Sequence, residues 1–193
     1  PLTDLAGAAT FNEIFDQIQA LTLAVYTPLA YVFPSRLGKY EDLYNVKGGT
    51  ARSNLGQRGR EQGLKQLMTV NLLKRLESSV EAFRLTLAKI EAGVDQTLGC
   101  LESPSGVIND VDFAKFNPEV DDEDEGNIEA LTFGNKIKID LDDIDIESWQ
   151  RDLWNDRETL RELLKKMKYV TPAHDLKLQR LKELVTYKAR HPI

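Results

Sequence analysis

Several groups of residues in this chain have the types that do chemistry, and each can be weighed by its spacing. The stretch Val46-Lys47-Gly48-Gly49-Thr50 has the composition of a phosphate cradle. It lacks the P-loop spacing of glycines before Gly-Lys-Ser/Thr, and no strand pattern precedes it, so it reads as a flexible connection. Asp121-Asp122-Glu123-Asp124-Glu125-Gly126 invites a calcium-loop reading. Asp121 and Gly126 fit, but Glu123 and Glu125 are a methylene too long. The twelfth position, which should supply a bidentate carboxylate, is Thr132. A solvated acidic loop is the expectation there. Asp140, Asp142, Asp143 and Asp145 alternate along an extended pattern. Paired acids can do acid/base work, but no His, Lys or Tyr converges with them in sequence. They are expected on solvated faces, with Asp145 as a helix N-cap. His174 and His191 are far apart and have no Cys partner nearby, so they do not make a metal site. Trp149 and Trp154 could stack on a nucleobase; on its apolar stripe Trp149 reads as core and Trp154 as the edge of that core.

The elements that must position these residues are mostly helices. Between Leu64 and Val94 apolar residues recur every three or four positions: Leu64, Met68, Leu72, Leu76, Val80, Phe83, Leu87, Ile90 and Val94. That is the period of one helix face, kept over about eight turns, on the order of 45 Å. The expectation is one continuous helix, fraying near Gly93 or Gly99. Ahead of it, Thr10-Phe11-Asn12-Glu13 has the form of a capping box. The helix it opens should falter at Pro28, resume to Phe33 and end at Pro34-Ser35. A weakly patterned, glycine-rich basic segment, 36–63, reads as a mobile loop. Ser103-Pro104-Ser105-Gly106 breaks the chain and opens an acidic insert, 103–145, in which Phe133 to Leu141 has the alternation of one short strand. From Asp145 a helix of about six turns runs through Ile146, Trp149, Leu153, Leu160, Leu163, Leu164 and Met167. Thr171-Pro172 then starts a last helix, whose apolar face is Leu176, Leu178, Leu181, Leu184 and Val185. The expected fold is all-α. It is a single domain over 1–193, an elongated bundle of about four main helices, two of them long and antiparallel, with at most one short strand or hairpin.

Charge is unevenly placed. The net charge is -6. From Asp112 to Glu147 thirteen Asp/Glu face three Lys, whereas Arg36 to Ile90 holds eleven Lys/Arg against five Asp/Glu. A slightly basic helical body therefore carries a strongly acidic insert. The one cysteine, Cys100, excludes an internal disulfide. A reducing, cytoplasmic setting is expected, with no membrane partner. The chain opens on Pro1 rather than Met, and a fragment of a larger protein is expected.

Three blocks carry a family likeness. The run Leu67-Met68-Thr69-Val70-Asn71-Leu72-Leu73-Lys74-Arg75-Leu76-Glu77-Ser78-Ser79-Val80-Glu81-Ala82-Phe83 resembles a block of bacterial SWI/SNF-type helicase-like ATPases, large proteins often carrying a phospholipase-D-like domain. Lys138 to Asp145, with Trp149-Gln150-Arg151-Asp152-Leu153, looks like a later block. Val170 to Leu184 resembles the helix leading into the second RecA-like lobe. The likeness covers most of the chain, keeps its order, and is weakest in the glycine-rich and acidic segments. It implies a non-catalytic helical region between two ATPase lobes, whose partners are those lobes and, for the parent, DNA. ATP and Mg would belong to the lobes. No Walker A, Walker B or arginine-finger sequence is present here, so no cofactor and no ATP hydrolysis are expected of this chain. If DNA touches it, the candidates are Lys47, Arg52, Arg58, Arg60, Lys65, Lys74 and Arg75, contacting phosphates without reading sequence. The alternative is a stand-alone helical protein–protein interaction module.

Overall fold

The computed structural model describes residues 10–44, 56–102, 111–112, 136–137, 139–170 and 176–190. The fold is all-α. Helix α1, Phe11–Ala20, opens on the expected capping box. The Glu13 amide donates to the Thr10 hydroxyl at 3.3 Å, and the Thr10 amide donates to the Glu13 carboxylate at 2.7 Å. Ile14 and Ile18 carry its buried face.

α1 stops at Ala20, well short of the expected Pro28. Residues 21–33 instead form a strap of two 3-10 turns, Ala24–Tyr26 and Pro28–Tyr31, with Leu23 left-handed at φ 49°. Two causes combine. Thr22, Val25, Tyr26 and Thr27 are β-branched or aromatic and hold a helix weakly. Buried acceptors on a later helix also take the strap's backbone donors. The strap is core all the same: Leu23, Ala24, Val25, Tyr26 and Leu29 are buried.

Pro34 does not end a helix but begins one. Helix α2, Pro34–Tyr44, occupies the start of the segment expected to be a loop. A proline in the first helical turn loses no bond, because that N–H has no intrahelical acceptor. The far end of the expected loop is helical too, since α3 spans Gln57–Ser78. Residues 45–55 lie outside the described residues.

The long helix expected over 64–94 is two helices. α3 ends at Ser78, Ser79 is extended (φ -154°, ψ 126°), and α4 runs Val80–Glu102. Ser79 serves both: its amide closes α3 on the Arg75 carbonyl at 2.8 Å, and its hydroxyl accepts the Ala82 amide at 3.3 Å. Serine competes for backbone donors and so favours a cap over a helix interior. The apolar period passes through the break because both halves face one core: Met68, Leu72 and Leu76, then Phe83, Leu87, Ile90, Val94 and Leu98. α4 does not fray at Gly93 or Gly99. A glycine costs a helix about 1 kcal/mol, and here buried Val94 and Leu98 hold the last turns.

Helix α5, Ile146–Met167, is capped by Asp145, which accepts the Ser148 amide at 3.1 Å. It lies antiparallel to α4: Arg161 meets Glu91 at 2.8 Å, and Arg157, one turn earlier, meets Asp95 at 3.3 Å. Trp149, Leu153, Leu160, Leu163 and Met167 face the core, and Trp154 is 42% exposed at its edge, as expected.

The acidic insert does not extend to 145. Ile139, Leu141 and Ile144 are buried in the common core, and Leu141–Asp143 is a 3-10 turn. Apolar residues between the aspartates pull this segment in. Strand β1, Val111–Asp112, pairs antiparallel with β2, Lys136–Ile137. This is the short hairpin-like pairing allowed for, and its partner strand comes from the other end of the insert. The rest of the acidic segment, the lead-in 1–9 and the Thr171-Pro172 start signal lie outside the described residues. Helix α6, Leu176–Arg190, follows. Among the described residues, no helix is long and apolar enough to cross a membrane.

Candidate functional site

The basic residues chosen from sequence do not form one array. Lys47 and Arg52 lie outside the described residues. Arg58 is exposed near the start of α3, and Lys65, two turns on, is half-buried. Seven residues apart, the two share a helix face about 10 Å along the axis. Lys74 is exposed and Arg75 half-buried. At 100° per residue Lys74 falls nearly opposite Arg58, so it does not extend that face. Arg60 is buried, 8% exposed beside buried Glu61. Burial lowers its pKa against the pull of Glu61, and the guanidinium is withdrawn from any ligand at the surface. Arg58 and Lys65 are the pair that the fold brings together.

A more tightly built cluster surrounds Asp143. α2 presents Arg36, Lys39 and Tyr40, at spacings of three and four, to this one carboxylate. Lys39 Nζ lies 2.8 Å from Oδ2 and the Tyr40 hydroxyl donates to Oδ2 at 2.6 Å, while Arg36 Nε lies 3.3 Å from Oδ1. The Asp140 amide donates to the Tyr40 oxygen at 3.1 Å. Lys39 above all, then Tyr40, holds the Asp143 carboxyl below its usual range. Burial, and then Asp143 itself, pushes the Tyr40 phenol up. Asp143 therefore stays ionised and Tyr40 stays protonated across neutral pH. A pair pushed apart in these directions exchanges no proton near pH 7, and the cluster is a brace between α2 and the turn that leads into α5. The aspartates were expected on solvated faces with no basic or phenolic partner; Asp143 is buried with both. The readable signal was Arg36, Lys39 and Tyr40 on one face, legible only if 34–44 is helical.

A second polar centre was also missed. Asp156 sits on the apolar stripe of α5, between Leu153 and Leu160, and is 2% exposed. Its Oδ1 accepts the Thr22 amide at 2.7 Å, and its Oδ2 accepts the Thr22 hydroxyl and the Ala24 amide, both at 2.8 Å. Burial raises its pKa, while these donors pull it back down. Beside it, the Trp149 indole donates to the Ala24 carbonyl at 3.0 Å and the Tyr31 hydroxyl to Asp152 at 2.9 Å. Three side chains on one face of α5 thus fasten the strap. Their bonds go to Thr22, Ala24 and Tyr31 of the strap, and the arrangement is structural. The signal in sequence was a lone carboxylate on an otherwise apolar period.

Two surface features remain. The Arg157 guanidinium lies 3.3 Å from the centre of the Trp154 ring and covers one face of the exposed indole. On α6, residues 180–190 are all exposed, apolar positions included. Among the described residues, no group of three His, Cys, Asp or Glu side chains is placed to hold a metal ion. Compared with family models, with curated proteins and with solved structures, the chain matches none.

Proposed function

We propose that this chain is a non-catalytic helical coupling region, lying between the two ATPase lobes of a SWI/SNF-type helicase-like protein in the cytoplasm. Its helices act as rigid struts between the lobes and Arg58 and Lys65 contact DNA phosphates. The observation that carries the reading is α6. The sequence likeness assigns this helix to the entry of the second lobe, and its apolar residues Leu181, Leu184 and Val185 are exposed, as a helix awaiting a neighbour would leave them. Support also comes from the two polar centres among the described residues, around Asp143 and Asp156, whose groups are spent on holding elements together. ATP and Mg are reserved for the lobes.

The placement is tested in the parent protein. An apolar strand opening a RecA-like lobe shortly after Ile193, with Walker motifs before Pro1, is the expected finding. Coding sequence without them would refute it. The DNA contact is tested separately by anisotropy with duplex DNA at low salt. Binding should weaken with salt, and removing both Arg58 and Lys65 should reduce the logarithmic salt slope by about 1–2. No binding at tens of micromolar protein would sink direct contact. The exposed face of α6 equally favours a second reading, a stand-alone protein–protein interaction module, and that reading stands if the flanking lobes are missing.

A further inference from the structure

From α6 we infer a docking surface for a protein partner that presents an apolar groove or helix face rimmed by carboxylates. This goes beyond the lobe reading, because it concerns the chemistry of the partner and not its place in a chain. Leu181, Leu184 and Val185 are 56%, 48% and 59% exposed. At 100° per residue they share one face with Leu178, and that face is bordered by Arg180 on one side and Lys182 on the other, with Lys188 one turn beyond Leu184. α6 holds Lys177, Arg180, Lys182, Lys188 and Arg190 against a single acid, Glu183, a net of +4 in a chain of net -6. Glu183 lies on the far side, in an ion pair with Arg180 at 2.8 Å. The helix is tied to the body at its start, where Lys177 Nζ donates to the Glu77 carbonyl in the last turn of α3. A cation there suits the negative end of that helix. From Arg180 to Arg190 every residue of the helix is exposed.

Apolar residues between cations favour a protein over a nucleic acid, since phosphates reward the charges and leave the leucines in water. A second copy is disfavoured, because two such faces brought together would oppose like charges.

The probe is a synthetic amphipathic helix with leucine on one face and flanking glutamates, titrated against the full chain by fluorescence anisotropy. A lysine-flanked counterpart and a duplex DNA are run alongside. The glutamate peptide should bind at about 0.1 mM or tighter, and Leu181→Asp with Leu184→Asp should weaken it roughly tenfold or more. Lys182→Glu with Lys188→Glu should turn the preference to the lysine peptide. All four positions are exposed, and unchanged circular dichroism verifies the fold. Equal binding of both peptides, binding indifferent to the leucine variants, or no binding of the glutamate peptide overturns the inference. So does self-association in sedimentation that the leucine variants abolish, or duplex DNA bound through α6 in place of the peptide. None of these results bears on the coding sequence around the chain, so failure here and failure of the lobe reading are separable.

Discussion

Removing the Asp156 carboxylate should be among the most damaging single changes to this fold, and its cost can be worked from the bonds it makes. Asp156→Ala strands the buried amide of Ala24 and the half-buried amide of Thr22. A buried donor left without an acceptor costs about 1–3 kcal/mol. The Thr22 hydroxyl can rotate, so it is not counted. Relief of the carboxylate's own desolvation offsets part of the loss, as does collapse of the small cavity. A net loss of about 3 kcal/mol follows. With a urea slope of about 2–3 kcal/mol/M, the unfolding midpoint should fall by about 1 M or more. Asp156→Asn keeps one acceptor oxygen but turns an N–H toward either the Thr22 or the Ala24 amide, so it should lie between wild type and alanine. The assay is urea unfolding followed by helical circular dichroism and by tryptophan emission. Trp149 is the sensitive reporter, because its indole is bonded to Ala24 on the same strap. A midpoint within about 0.2 M of wild type for Asp156→Ala, small against that slope, would refute the reasoning.

Ser79→Ala should cost about 1 kcal/mol, the usual value of an N-cap, and Ser79→Asp should restore it; equal thermal midpoints for serine and alanine would contradict the capping role. The Asp143 brace gives a sign-definite pH dependence. Its folded pKa is lowered by Lys39 first and Tyr40 second. Its stabilising effect is thus full above the unfolded value of about 3.9 and is lost as pH falls through the folded value. The gap in urea midpoint between wild type and Asp143→Asn should therefore close below about pH 4, and a gap constant down to pH 2 would exclude the brace. Asp156 has the opposite sign. Burial raises its folded pKa, so acidification through that value favours the fold, and Asp156→Asn should lack this gain.

The helical architecture was legible because its signals are local and mutually consistent. The Thr10–Glu13 box and the Asp145 cap with six turns behind it appear as read, and so does the division between Trp149 and Trp154. What sequence concealed was decided by tertiary partners. α1 is cut short because Asp156, 134 residues away from Thr22, supplies the acceptors that a continued helix would have supplied. The break at Ser79 leaves the apolar period intact, since both helices face one core, and periodicity alone cannot register it. The segment 34–44 hid its helix behind a proline that reads as a stop and proves to be a start. With α2 misread, Arg36, Lys39 and Tyr40 had no common face, and Asp143 had no visible partner.

The placement of charge then separates the surfaces that hold the molecule together from the exposed part of α6. Arg157 and Arg161 are paired with Glu91 and Asp95 across α4 and α5, and the cations of α2 converge on Asp143. These pairs neutralise facing elements, and with their carboxylates engaged they have little left to offer a ligand. On α6, among the described residues, Lys182, Lys188 and Arg190 enter no ion pair, and the leucines between them meet water. A fifteen-residue helix whose residues 180–190 are all exposed is marginal, because propensity alone seldom stabilises so short a segment. α6 should therefore gain helical order when its face is covered. In hydrogen exchange, residues 180–190 should exchange much faster than α5 in the free chain and slow when the glutamate-flanked peptide is added. Protection equal to that of α5 before any partner is added would mean that the face is already covered, and would remove the premise of the docking surface.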